Sequence, residues 1–173
     1  MKKRITCISI LNDFDLRKIN KLVDKLGIET CKVPYLEEDR AKNDRLPYHF
    51  TLYVCMEEDT SLAIDVFRDM KIDDIKLEIT GASIKESYNN SWNLYLSIGE
   101  NDNLKKILQD NYTKMKIEKY NPQKFYPYIT IHCDDNYEKI IKLKEQLEEN
   151  FEKFEINFNK IGLFEVYPVK QIL

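Results

Sequence analysis

The chain has 173 residues, 43% hydrophobic and 33% charged, enough apolar material for the core of one domain or two small lobes. Its net charge of −3 gives no global electrostatic pull on nucleic acid, so any RNA contact is expected at a local basic cleft, with a short ligand rather than a long duplex, and no DNA duplex is expected as a partner. No apolar run approaches the roughly 20 residues that span a bilayer, and no membrane partner is expected.

Only a short apolar run follows the basic start Met1-Lys2-Lys3-Arg4 before Asn12 and Asp13. That is too short for a secretory signal, and a cytoplasmic protein is expected. The four cysteines, Cys7, Cys31, Cys55 and Cys133, form no Cys-x-x-Cys pair, and no histidine stands at zinc-like spacing from a cysteine pair. They read as reduced, partly buried thiols, with no metal site and no cofactor implied. The glycines are unclustered, so no phosphate loop is present.

In chain order, Ile5–Leu11 alternates as a strand. A helix comes next, with Leu16, Ile19, Leu22, Val23 and Leu26 on one face and Gly27 placed to end it. After a charged, loop-like stretch comes the strand Tyr48–Cys55. Thr60 is placed to cap a helix whose face is Ala63, Val66, Phe67 and Met70. Ile75–Ile84 alternates again. Asn89-Asn90-Ser91 marks a turn at the midpoint, after which the order repeats. Trp92–Ile98 is a strand, Asn101 or Asp102 opens a helix to about Met115, and Phe125–Cys133 is a strand. Asp135 with Glu138 resembles a capping box. The helix behind it carries Ile140, Leu143, Leu147, Phe151 and Phe154; Phe154–Phe158 alternates as a strand, and Lys160–Val166 extends the sheet.

Each half therefore reads strand, helix, strand, helix, strand, the pattern of an internal duplication. The expected fold is α+β: one bilobal domain over 1–173, with pseudo-symmetric lobes of roughly 1–90 and 91–173. Each lobe is a small mixed or antiparallel sheet with packed helices, and the two face a central groove.

The third element of each half carries the chemistry. The first reads His49-Phe50-Thr51-Leu52-Tyr53 and the second Tyr128-Ile129-Thr130-Ile131-His132, each just after a proline, Pro47 or Pro127. Alternation puts His49, Thr51 and Tyr53 on one face, and Tyr128, Thr130 and His132 on one face. His49 and His132 are the only histidines in the chain.

A duplicated His-x-Thr strand on a two-lobed α+β chain of this size resembles the 2H phosphoesterase superfamily, which includes the 2′-5′ RNA ligase-like proteins and cyclic phosphodiesterases. The resemblance covers essentially the whole chain. Pro47-Tyr48-His49-Phe50-Thr51-Leu52 matches the first motif in full. The second, Phe125 to Ile131, departs from it at one position, where Tyr128 replaces the second histidine. The resemblance implies two catalytic groups bracketing a phosphate, one as general base and one protonating the leaving oxygen, with both threonines on the phosphate. Imidazole suits either role because its ordinary pKa, about 6.5, lies near working pH. On this chain the roles fall to His49 as base and Tyr128 as donor, with Thr51 and Thr130 as phosphate ligands and no metal.

Four further residues are candidates for substrate binding. Arg45 and Lys124 precede the motif strands and suit a phosphate; Tyr53 suits stacking on a base. His132 shares the Tyr128 face but lies roughly 13 Å along it at about 3.3 Å per residue. The expected partner is a nucleotide or RNA terminus bearing a 2′,3′-cyclic phosphate, a 2′-5′ linkage or a related phosphodiester, met by a monomer. Three readings stay open: a phosphoesterase, a binding module that kept the groove and lost turnover, and an interaction scaffold with a vestigial groove.

Overall fold

A computed structural model of the chain describes residues 3–28, 46, 48–87, 90–116, 126–149, 151–166 and 169–173. Arg4–Ser9 forms strand β1, and Asn12 ends the link to helix α1, Asp13–Lys25, by accepting the Asp15 N–H on its side chain. Ile19 and Val23 turn inward from α1, and Gly27 stops it at φ +62°, a backbone conformation that costs glycine little. Strand β2 (Thr51–Met56) leads through a 3-10 turn, Glu57–Asp59, into helix α2, Thr60–Asp69. Thr60 is the first helical residue rather than the cap: its hydroxyl donates to Glu57 O at 2.5 Å and closes the preceding turn.

The second half runs β4 (Trp92–Ile98), helix α3 (Asp102–Lys114), β5 (Tyr128–Asp134), helix α4 (Tyr137–Glu149) and β6 (Phe154–Phe158). Asn101 caps α3 by accepting Leu104 N–H. The cap of α4 is Asn136, which accepts Lys139 N–H at 3.1 Å. Asp135, expected to cap, is displaced because Asp134 takes the Asn136 N–H and sets the turn one residue later.

The remaining strands are β3 (Ile75–Glu86), β7 (Ile161–Val166) and the two-residue β8 (Lys170–Gln171). Among the described residues all strand pairs are antiparallel, in two four-stranded sheets of order β2-β1-β7-β8 and β5-β4-β3-β6. With α-helices beside them, four among the described residues, the fold is α+β and two-lobed. The sheets do not respect the sequence repeat. Strand β3, from the first half, inserts between β4 and β6, while β7, from the second, pairs with β1. Matched apolar faces account for the exchange. Ile75, Leu77 and Ile79 of β3 lie opposite Phe158, Ile156 and Phe154, all turned to one core.

Helix α4 covers the core face of the second sheet with Ile140, Leu143 and Leu147. Helix α2 covers that of the first with Ala63 and Val66. Phe50 meets Phe158 edge-on at 5.0 Å and ties the two sheets' interiors together. Helix α1 guards the outer edge of β6. The fully buried Asp15 carboxylate accepts Asn157 N–H at 2.9 Å, Asn12 Nδ2 at 2.8 Å and Lys18 Nζ at 2.9 Å, and Lys18 also donates to Glu155 O. A charge without water persists only when its lone pairs are filled in this way, and the same contacts blunt an otherwise open sheet edge.

Candidate active site

The two motif strands are the equivalent edge strands of the two sheets, β2 beside β1 and β5 beside β4. Each carries the same irregularity. Opposite consecutive β1 residues Cys7 and Ile8 stand Tyr53 and Thr51, so Leu52 is an extra residue. Opposite consecutive β4 residues Leu94 and Tyr95 stand His132 and Thr130, so Ile131 is the extra residue. A β-bulge thus comes directly after the threonine of both motifs, and a bulge re-aims every side chain beyond it.

The bulges overturn two expected shared faces. Tyr53 does not lie with His49 and Thr51; it turns into the core, fully buried, and its hydroxyl donates to Ala63 O at 2.8 Å. Its phenol is pushed up in pKa by that burial first and by the nearby Cys7 second. Cys7 itself is pushed up to about 12 and Cys55 to about 11 by burial, so both thiols are neutral packing groups. His132 likewise leaves the Tyr128 face. It pairs with Leu94 on the core side, is 4% exposed, and has Nε2 3.5 Å from Asp134 Oδ2. Burial alone would raise the Asp134 pKa; Lys139 Nζ at 2.5 Å and the Asn136 N–H outweigh it and hold the carboxyl well below the usual range.

His49, Thr51, Tyr128 and Thr130 remain half-buried. Phe50, fully buried between His49 and Thr51, fixes those two on the opposite side of the strand. Ser9 secures this stretch: its N–H donates to Phe50 O at 2.9 Å and its hydroxyl accepts Phe50 N–H at 3.0 Å. In the second motif Ile129 is the buried spacer, so Tyr128 and Thr130 share the face turned away from α4. Tyr126, just ahead, is a structural clamp: its hydroxyl donates to Gly99 O at 2.7 Å and accepts Asn101 N–H at 2.6 Å. Among the described residues neither motif threonine hydroxyl takes a protein hydrogen-bond partner. Arg45 and Lys124 lie outside the described residues, as do Pro47 and Cys31.

Strands β3 and β4 extend the open face of the second sheet with residues that the motif reading missed. Ser97 lies beside Tyr128, and Tyr95 lies between Thr130 and Ser83. The Tyr95 ring packs on the Tyr128 ring at 4.5 Å and holds it in place, and the Ser83 and Ser97 hydroxyls are 3.3 Å apart. Lys85 Nζ sits 5.1 Å from the centre of the Tyr128 ring. The alternation Asn93, Tyr95, Ser97 between Leu94, Leu96 and Ile98 was the available signal for the β4 members of this face. Among the described residues no group of three or more His, Cys, Asp or Glu side chains is placed to hold a metal ion.

No family model and no curated protein sequence matches the chain. Solved structures do. Escherichia coli LigT complexed with 3′-AMP superposes with a TM-score of 0.59 at 13% identity, over 95% of this chain and 88% of that one. Kluyveromyces marxianus Usb1 with uridine monophosphate gives 0.56 at 10% identity, over 99% and 98%. A further protein described as a phosphoesterase gives 0.51 at 11% identity, over 99% and 94%. The fold is theirs. The two-lobed α+β fold expected from the paired motif strands is the one observed. At these identities the likeness speaks for the fold alone. Among the described residues no helix is long and apolar enough to cross a membrane.

Proposed function

We propose that the chain is a phosphoesterase acting on nucleotide or RNA ends that carry a 2′,3′-cyclic phosphate or a 2′-5′ linkage, with His49 and Tyr128 bracketing the phosphate. The observation that carries this reading is the pair of equivalent edge strands, each bulged immediately after its threonine. The duplicated bulge sorts the side chains of each motif strand between its two faces. It holds one hydroxyl and one titratable ring on the open face of each sheet while turning Tyr53 and His132 into the core. The 2H neighbours solved with 3′-AMP and uridine monophosphate support a nucleotide as ligand.

For a cyclic phosphate, water attacks phosphorus as His49 takes its proton, the bond to one ribose oxygen breaks, and the Tyr128 phenol protonates that leaving oxygen. The product is a phosphate monoester, and proton return from His49 or solvent restores the phenol. Thr51 and Thr130 hold the non-bridging oxygens. A phenol ordinarily titrates near 10, so it donates well and accepts poorly at neutral pH, which assigns the base to His49.

A second reading is a nucleotide-binding module without turnover, and Tyr128 itself favours it, since its ring is held between Tyr95 and Lys85. Hydrolysis of a 2′,3′-cyclic nucleotide separates the two. His49→Ala is expected to lower the rate by about 10²–10⁴-fold, the usual worth of a positioned acid or base. Equal rates for wild type and variant would end the catalytic claim. Tyr128→His raising turnover would mark a weakened enzyme; no gain, with nucleotide binding retained, marks the module.

A further inference from the structure

Lys85 belongs to none of the motifs, yet its side chain meets one. On the open face of the second sheet Tyr128 pairs with Ser97 at one corner, while Lys85 pairs with Asn93 at the diagonal corner, two strands away. The two long side chains lean across Tyr95 and Ser83 until the ammonium is 5.1 Å from the ring centre. Lys85 is exposed, and such an ammonium ordinarily extends into water. This one lies over the residue at which the second motif has lost its imidazole.

That loss has an electrostatic consequence. A histidine carries positive charge when protonated, a neutral phenol carries none, and a phosphodiester is always an anion. The half-site on the second sheet therefore lacks the charge its motif would supply. We propose that Lys85 supplies it from β3, binding a non-bridging phosphate oxygen beside Thr130, and that the groove thereby selects nucleoside phosphates by a cation the motif does not encode. The proposal rests on the phosphoester reading above. The ammonium lies 5.1 Å from the Tyr128 ring centre, on the sheet face that also carries Thr130. The Ser83 and Ser97 hydroxyls, 3.3 Å apart, lie on the same face.

The test uses the full chain, 3′-AMP as probe and calorimetric titration at low and physiological salt. Lys85→Met keeps most of the stem and loses the charge; Lys85→Arg keeps the charge. Losing a charge-assisted hydrogen bond is expected to weaken 3′-AMP binding about ten- to a hundredfold in Lys85→Met. The variant should also flatten the dependence of affinity on salt, while Lys85→Arg retains most of both. A purely structural role for Lys85 on the Tyr128 ring would lower the melting temperature and leave affinity and salt dependence unchanged, and that result overturns the proposal. Wild-type protein that fails to bind 3′-AMP would remove the phosphoester reading and this proposal together. Loss of turnover in His49→Ala, with Lys85→Met indistinguishable from wild type, would leave that reading standing and remove only Lys85.

Discussion

Replacing Tyr53 by phenylalanine tests the bulge that organises the first motif. The hydroxyl is fully buried and donates to Ala63 O at 2.8 Å. The variant keeps the ring and its packing, and Ala63 O keeps the intrahelical bond that its position in α2 provides. The loss is one neutral buried hydrogen bond, about 0.5–1.5 kcal/mol net. In a domain of this size 1 kcal/mol corresponds to a fall in melting temperature of roughly 2–4 °C. Tyr53→Ala removes the ring as well and should cost about 3–5 kcal/mol, as truncation of a buried aromatic does. Urea melts monitored by circular dichroism measure both variants, and 3′-AMP titration of Tyr53→Phe supplies the second readout. The expected outcome is lower stability with unchanged nucleotide affinity. Unchanged stability with weakened affinity would place the ring in the groove, as uninterrupted alternation demands, and would refute the bulge as the reason it is not there.

Asp15→Ala should destabilise the fold by roughly 2–4 kcal/mol in chemical denaturation, because the Asn157 N–H and Asn12 amide lose their acceptor at a fully buried site. The Asp134 pKa is lowered on folding, so its ion pair stabilises the protein above the ordinary carboxylate range and that contribution fades as pH falls through the folded value. Urea melts from neutral to acid pH should therefore show Asp134→Asn and wild type converging as pH drops. A gap that stays constant across the range would dismiss the Lys139 and Asn136 contacts as its source.

Elements set by local pattern were legible from sequence. Trp92–Ile98 and Phe154–Phe158 occupy the strands their alternation implied, and Gly27 ends α1 where a left-handed residue was needed. Properties that depend on a partner strand were not. Leu52 and Ile131 are ordinary strand residues, and only the registers with β1 and β4 reveal that each is one residue too many. Period-2 counting carried straight through both and put Tyr53 and His132 on the wrong faces. The sites of β3 and β7 were hidden for a related reason: pairing across sequence halves leaves no mark within either strand. The proposed site residues His49, Thr51, Tyr128 and Thr130 stand out in the sequence because their spacing repeats, whereas Lys85 and Tyr95 come to lie beside Tyr128 only through the sheet.

Because β3 and β7 pair across the midpoint of the chain, neither half of the sequence is a separable object. Cutting the backbone at the midpoint would leave the N-terminal piece with only β1 and β2 paired and β3 stranded, and a two-stranded ribbon is at best marginal in water. The C-terminal piece would hold β4 and β5 with a gap where β3 had joined them to β6. Each half completes the other's scaffold, so both motif strands belong to sheets built from the two halves together. Loss of either half takes strands from both sheets.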